Sequence, residues 1–569
     1  MTAAQDIAAR DIAAKDIVAH VDGAALMDHC AEFAKRVKLS GTPEEKQSFR
    51  YLQQCMERYG YRTTLIEHDA YISLPLASRV ISDGAVFKSI THSFSRPSPA
   101  GGLTAPLIDL GEGTEQDFAR ADCRGKIVLV DGIASPAVAA RASAAGAAGQ
   151  LHVSPHEHLH EMCISPVWGS PSGDTLAEMP TTVTCTISDA GGAALRRALA
   201  RSPALAVTLQ AQIDTGWRKT PLLVGEIDGP GGPDAPFVLL SGHHDTWYYG
   251  VMDNGSANAT MLEAARLLAQ HVKTWRRGLR VCFWSGHSHG RYSGSAWYVD
   301  HHWSDLDRRC VAHVNVDSTG GTGAVLMGDN GVVSSLAELA SAVTRAETGQ
   351  NHAGKRASRS SDQSFWGIGI PSMYGSVSHQ PPGGAKMRNA LGWWWHTPHD
   401  LIDKIDREFL VRDTRVVLHT LWRLLTDRVL PIDPAAELAS LRAELTAIAK
   451  SEPAPATAAL IAAVDQAAEA AARLKAARPA DDAACEAVNA ALIRISRALV
   501  PLDYTEGDRF RHDAALPQPP WPVLQGLRDL AAAEPGSDQA KFHSVSAARA
   551  TNRLLHALEQ VSRAAGAAL

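Results

Sequence analysis

The sequence predicts an α/β protein that carries an α/β insert and ends in a helical bundle. Three observations predict it. From about 219 to 430, short apolar strands alternate with helices, as in a sheet covered on both faces. From about 76 to 218, a Pro- and Gly-rich stretch repeats the alternation on a smaller scale. After about 431 the composition turns to Ala, Leu, Glu and Arg. A chain of 569 residues exceeds one core, so two or three domains are expected. The segments are 1–75, 76–218, 219–430 and 431–569.

The first segment opens with "MTAAQDIAARDIAAKDIVAHV". It has no apolar run of the secretory type. Its "DIAA(R/K)" unit repeats every five residues, a poor helical period, so the isoleucines drift around the surface of a helical or loose arm. "LMDHCAEFAKRV", "GTPEEKQSFRYLQQCMERYG" and "YRTTLIEHD" then read as helix, helix and strand. Thr42 and Pro43 start the second helix, with Glu44 and Glu45 in its first turn.

In the second segment, "CRGKIVLVDG" is a buried strand bounded by glycines. "AVAARASAAGAAGQLHV" gives helix, glycine break and strand, and "MPTTVTCTISDAGGAALRRAL" gives strand, turn and helix. In the third, "PFVLLSG", "GLRVCFWSG" and "RCVAHVNVD" are strands. "SANATMLEAARLLAQHV" is an amphipathic helix with Leu262, Ala265, Leu268 and Ala269 on one stripe. Four Ala-rich helices of the last segment suggest a bundle that packs on another domain or a second subunit.

Apolar content of 45% and charged content of 20% fit a soluble globular chain. A net charge of −6 without a long basic run disfavours nucleic acid as a partner. No run reaches the ~18 apolar residues of a membrane span. The 8 cysteines are scattered without a CxxC, which fits a reduced, cytoplasmic chain.

The 24 histidines bunch in the middle of the chain and hint at a metal. "LLSGHHDTWYYGVMDNGSANA" puts His243, Asp245 and Asp253 between a strand and a helix. "VNVDSTGG" puts Asp317 at another strand end, and "WWWHTPHDLIDKID" puts His396 and His399 in a loop. Histidines and carboxylates from separate strand ends suit a zinc or similar ion.

These blocks resemble the zinc aminopeptidase and glutamate carboxypeptidase superfamily, in the branch that includes the transferrin receptor. "GHHDTW…MDNGSA", "CVAHVNVDS" and "WHTPHD" are similar to its ligand blocks. "RGKIVLVDG…AGAAG" resembles its protease-associated insert, and the tail resembles its helical dimerisation domain. The resemblance implies a mixed-sheet zinc-exopeptidase catalytic domain with the insert at 76–218 and a homodimer through the C-terminal helices. It implies a site for one or two divalent ions, zinc first and manganese as an alternative. Asp253 would bridge, His243 and Asp317 would complete the first site, and His396 the second. Asp245 would orient His243. His244 and His399 read as neighbours of the ligands.

One block departs from the family. Where the family keeps two adjacent glutamates, a base and a metal ligand, "FWSGHSHGRYSGS" offers His287 and Ser288. A serine hydroxyl is a poor ligand beside a carboxylate, so the second site loses charge. Three repairs are open. His287, or His289 as its closest rival, acts as the base, since histidine's ordinary pKa of about 6.5 suits proton transfer near neutrality. Alternatively either histidine ligates a second metal. In the third, the site is inactive, as in receptor-like members. Retention of four ligands favours activity. The expected reaction is metal-dependent hydrolysis of an amide or peptide bond, with a metal-dependent lyase or an inactive scaffold as alternatives.

The expected substrate is a small molecule or peptide. Trp247, Tyr248 and Tyr249, with Trp393, Trp394 and Trp395, would form an aromatic wall. Arg291, Lys386 and Arg388 read first as solvated loop cations and, alternatively, as groups that meet a substrate carboxylate. "HVSPHEHLHEM" puts His152, His156, His158 and His160 in the insert, where they would cover the site or bind a metal of their own.

Overall fold

The structure, a computed structural model, describes residues 14–327, 331–352, 355–357, 359–383, 390–451 and 456–569. Among the described residues its main sheet has 14 strands, of which ten matter here: β1 (Arg62–Ser82), β2 (Leu103–Asp109), β3 (Ile127–Asp131), β4 (Gly149–Val153), β5 (Val183–Ile187), β6 (Ala206–Ile227), β7 (Phe237–His243), β8 (Gly278–Trp284), β9 (Cys310–Val316) and β10 (Ser372–Gly375). Strands β7, β8, β9 and β10 run parallel, so their carboxyl ends share one edge. Every residue of β7, β8 and β9 is buried, as a sheet covered on both faces requires.

Strand β6 is the hinge of the architecture. Its last residues pair antiparallel with β8, and its first residues pair antiparallel with β2 of the insert. Strands β2, β3, β4 and β5 are mutually parallel, with helix Pro136–Ala144 between β3 and β4 and helix Asp189–Arg201 between β5 and β6. The antiparallel β1–β6 ribbon crosses positions 76 and 218 without ending, with a register shift between Pro75 and Ala77. Proline has no N–H for the ladder, which explains an irregularity there.

Two expectations are corrected. The arm is not wholly a surface feature: residues 14–19 are helical, and Ile17, Val18 and Val21 are buried in the main core. Ile7 and Ile12 lie outside the described residues. Helix α1 (Ala257–Ala269) is not amphipathic in place, because its polar side is buried too. Thr260 bonds Thr319 at 3.1 Å and Thr414 at 3.0 Å, and Glu263 pairs with Arg266 at 2.7 Å. The sequence period marks the apolar stripe but not the partners that bury the rest.

The C-terminal segment is helical, with long helices Pro434–Ser451, Ala456–Ala476, Asp482–Tyr504 and Asp538–Gly566 packed together. Glu437, on the first of these, is buried and accepts the Ser335 N–H at 3.2 Å and its hydroxyl at 3.0 Å. Burial, reinforced by the Asp503 carboxylate, pushes Glu437 up to about 8 from 4.5. The folded chain therefore keeps a proton here that the unfolded chain releases. This contribution to stability is complete below 4.5 and is lost as pH rises through about 8. Glu437→Gln is expected to reduce the fall in Tm between about pH 6 and about pH 9 by on the order of 1–3 °C. Thermal melts of both proteins across that range check it, and parallel slopes contradict it.

Candidate metal centre

The centre forms where β7 and β9 end side by side. Gly242 permits the approach, since a Cβ there would meet the Val316 carbonyl oxygen at 2.5 Å. Asn254 pins the two ends together: its amide donates to the carbonyls of His243 and Val316, each at 3.1 Å, and its oxygen accepts the Ser318 N–H at 2.9 Å. His243, Asp253 and Asp317 converge as a result.

His243 Nδ1 lies 2.8 Å from the Asp245 backbone carbonyl. A carbonyl only accepts, so Nδ1 carries the hydrogen and Nε2 presents its lone pair. That lone pair faces Asp253 Oδ1 at 3.1 Å and Asp317 Oδ1 at 3.7 Å. His396 repeats the pattern. Its Nδ1 donates to the Glu161 carbonyl at 2.7 Å, and its Nε2 faces Asp253 Oδ2 at 3.0 Å. Asp253 thus turns one oxygen to each histidine. Asp400 holds it there, accepting the N–H groups of Met252 at 2.9 Å and Asp253 at 3.0 Å.

Lone pairs aimed at carboxylates need a cation between them. His243 Nε2 and Asp253 Oδ1 are buried without a hydrogen bond of good geometry. Burial opposes a charge on His243, but Asp253 and Asp317 outweigh it and raise its pKa well above the ordinary value. An arrangement that forces a proton onto a buried histidine is one that a divalent ion relieves. The donor set of imidazoles and carboxylates fits zinc-type chemistry.

The 285–292 loop after β8 lies over this pair. The His287 ring stacks on His243 with centroids 3.6 Å apart and planes 13° apart. His287 Nδ1 sits 2.7 Å from Asp362 Oδ2. His243, His287 and Asp317 each bring a donor atom within 4.8 Å of the others. The stacking argues against all three sharing one ion, however. A ring nitrogen's lone pair lies in the ring plane, so an ion in the plane of His243 sits about one ring spacing off the plane of His287.

Asp245 orients His243 through its carbonyl and not through its carboxylate. Its carboxylate accepts the N–H groups of His287 at 3.1 Å and Ser288 at 2.9 Å, and the Ser40 hydroxyl at 2.7 Å. Burial alone would raise its pKa, but His289 and the charges of its neighbours hold it well below the usual range. Fully buried, it fixes the loop and is not in position to touch a substrate. His289 is buried as well, with Nδ1 at 3.0 Å from Ser40 Oγ and its ring against Trp247. It does not line the cleft, which corrects its candidacy as a base. Ser288 lines the cleft, and its Oγ is buried without a partner.

The cleft above the centre has a volume of about 1150 Å³. Trp247, Trp393, Trp395 and Arg291 line it. Arg291 Nε is buried without a partner. Tyr248 and Trp394 do not line it: Tyr248 pairs with Glu161, and the Trp394 indole meets Met252 Sδ at 3.4 Å. Tyr249 is 40% exposed at the surface. Lys386 and Arg388 lie outside the described residues. His244 is core, against Phe33 and Phe49 with Nε2 on Ser48 at 2.8 Å. His399 packs on His158 and Trp393.

The insert histidines do not converge on a metal site of their own. His160 Nδ1 meets the Trp395 carbonyl at 2.5 Å, and His156 Nδ1 accepts the His158 N–H at 3.1 Å. His156 Nε2–H is therefore the donor to His160 Nε2, at 3.2 Å. His152 is buried beside Gln150. The insert serves the centre differently, by placing the Glu161 carbonyl behind His396. Ser40, Ser361, Asp362, Asp400 and Glu161 were not assigned from sequence. Asp400 and Glu161 lie inside quoted blocks, the other three outside them.

Residues 223–421 match peptidase family M28. The probable glutamate carboxypeptidase VP8 of Zea mays is 24% identical over 343 residues, covering 49% of this chain and 48% of that protein. The chain thus spans about half the length of that relative. Aminopeptidase YwaD of Bacillus subtilis (strain 168) is 26% identical over 393 residues, 66% of this chain and 78% of that one. The structure of BSAP, a zinc aminopeptidase from Bacillus subtilis, matches with a TM-score of 0.56 at 22% identity, covering 72% of this chain and 96% of that chain. The α/β fold is shared with that structure.

Proposed function

We propose that the protein is a metal-dependent hydrolase of peptide or amide bonds, with His287 as its proton acceptor. The observation that carries this reading is Asp253, whose two oxygens face His243 Nε2 at 3.1 Å and His396 Nε2 at 3.0 Å. The M28 match and the aminopeptidase relatives support it. His243, Asp317 and one oxygen of Asp253 would hold the first ion, most simply zinc. His396 and the other oxygen of Asp253 would hold a second ion, and Ser288, where the resembled enzymes keep a glutamate, would add no charge, so that ion would bind more weakly.

Bound zinc supplies Lewis acidity and lowers the pKa of water to about 7. The residues do the rest. The His287 ring lies above His243 with its Nδ1 tied to Asp362, which leaves Nε2 to take the proton of the attacking water and pass it to the leaving nitrogen. Trp247, Trp393 and Trp395 position an apolar or planar group, and Arg291 meets a carboxylate. An inactive scaffold has no need of histidine lone pairs aimed at buried carboxylates. Among the described residues no helix is long and apolar enough to cross a membrane.

Chelated protein is expected to be inactive, and zinc or manganese to restore hydrolysis of some members of a panel of aminoacyl amides and short peptides. Solvent oxygen enters the product of hydrolysis. Metal-loaded protein that cleaves nothing in the panel, or that yields product without solvent oxygen, overturns the reading.

A further inference from the structure

We propose that Asp362 is the positioning residue for His287, fixing the tautomer that leaves Nε2 free for proton transfer. The inference rests on the hydrolase reading for its catalytic consequence, but its geometric part stands on the hydrogen bonds alone.

Asp362 Oδ2 lies 2.7 Å from His287 Nδ1. Its other oxygen accepts the Ser295 hydroxyl at 2.9 Å, and Ser295 Oγ lies 2.9 Å from Ser364 Oγ. The Asp362 side chain is 1% exposed, so it is locked in that direction. An ionised carboxylate only accepts, so Nδ1 carries the hydrogen and Nε2 presents its lone pair beside His243. Among the three histidines at the centre, His243 and His396 rest Nδ1 on the neutral carbonyls of Asp245 and Glu161. Of the three, only His287 has a carboxylate at hydrogen-bond distance from Nδ1, the Asp245 carboxylate being 3.8 Å from His243 Nδ1. A carboxylate there fixes the tautomer and orientation of the ring, a role an aspartate plays behind a catalytic histidine. The two metal-facing histidines take no proton in the reaction and have no such partner.

The backbone is strained to make this contact. Ser361 and Asp362 have φ of 47° and 26°, in the left-handed region unfavourable to side chains. The strained pair serves both sides of the centre. Ser361 Oγ donates to Asp317 Oδ2 at 2.7 Å and accepts from Asn315 Nδ2 at 2.8 Å. One dipeptide therefore sets a proposed metal ligand and the proposed base relative to each other. Preorganisation of this kind is how a site holds reacting groups in register.

Asp362→Asn separates positioning from packing. Asparagine keeps the shape and the Ser295 bond, but its amide donates to a bare Nδ1 and so favours the hydrogen on Nε2, the wrong tautomer for a base. The expected result is a fall in kcat of about 10²–10⁴-fold with KM, bound metal and Tm unchanged. The tautomer is read independently of turnover by ¹⁵N-histidine spectra of the metal-free protein, with the His287 signals identified by their loss in His287→Gln. Nδ1–H in the wild type and Nε2–H in Asp362→Asn are expected. Wild-type His287 protonated on Nε2, or Asp362→Asn with kcat within about threefold of wild type, overturns the proposal. Loss of kcat together with metal or Tm assigns Asp362 a purely structural role and overturns it too. If Asp362→Asn does not fold, the wild-type tautomer still decides. A wild type that cleaves no peptide or amide overturns the hydrolase reading instead, and the spectra decide Asp362 separately.

Discussion

Asp253→Asn is expected to strip the centre of its metal. Asp253 faces both His243 and His396, at 3.1 and 3.0 Å. Loss of one charge removes the nearer of the two carboxylates that face His243 Nε2, the other being Asp317 at 3.7 Å. Changing a residue that merely supports a ligand costs about 10–100-fold in metal affinity, so the loss here should exceed about 100-fold, with turnover falling in step. The fold should persist, because Asp400 holds this turn through the backbone N–H groups of 252 and 253 and not through the carboxylate. Metal analysis after dialysis, with a thermal melt of the metal-free protein, checks both halves. A variant that keeps its metal at wild-type stoichiometry removes Asp253 from the ligand set.

His287→Gln is expected to do the opposite to metal and the same to rate. A general base contributes about 10²–10⁴-fold, so kcat should fall by that much while bound metal stays constant. The ring stacked on His243 at 3.6 Å is the reason to expect retention, since an ion in one ring's plane is out of the other's. Metal lost in parallel with kcat would instead make His287 a ligand, the alternative that the donor-atom distances within 4.8 Å leave open. Either result turns on where the imidazole lone pair points.

The legibility of this site follows from sequence distance. His243, Asp245 and Asp253 lie within a few residues of one another at a strand end, and Asp317 ends the neighbouring parallel strand. Strand periodicity and the crowding of ligands at carboxyl ends make such residues readable. His287 and Ser288 are readable as a substitution in a block. Asp362 is not, because it reaches His287 across 75 positions of sequence from a loop with no periodic signal. Ser40 reaches Asp245 across 205 positions and is invisible for the same reason. Side-chain roles within a motif are also undecided by sequence. The sequence places Asp245 beside His243, and only the folded chain shows that its carbonyl, and not its carboxylate, lies 2.8 Å from Nδ1.

The sequence by itself determined the α/β class, the helical C-terminus and the residue types at the strand ends, because these depend on local periodicity and on short spacings. Tertiary structure alone decided which nitrogen of each histidine is free, that His289 turns away from the cleft while His287 faces it, and that Asp362 stands behind His287. Those outcomes depend on hydrogen bonds between segments distant in the chain. In a buried site such bonds are satisfied only by whichever group the packing brings within reach.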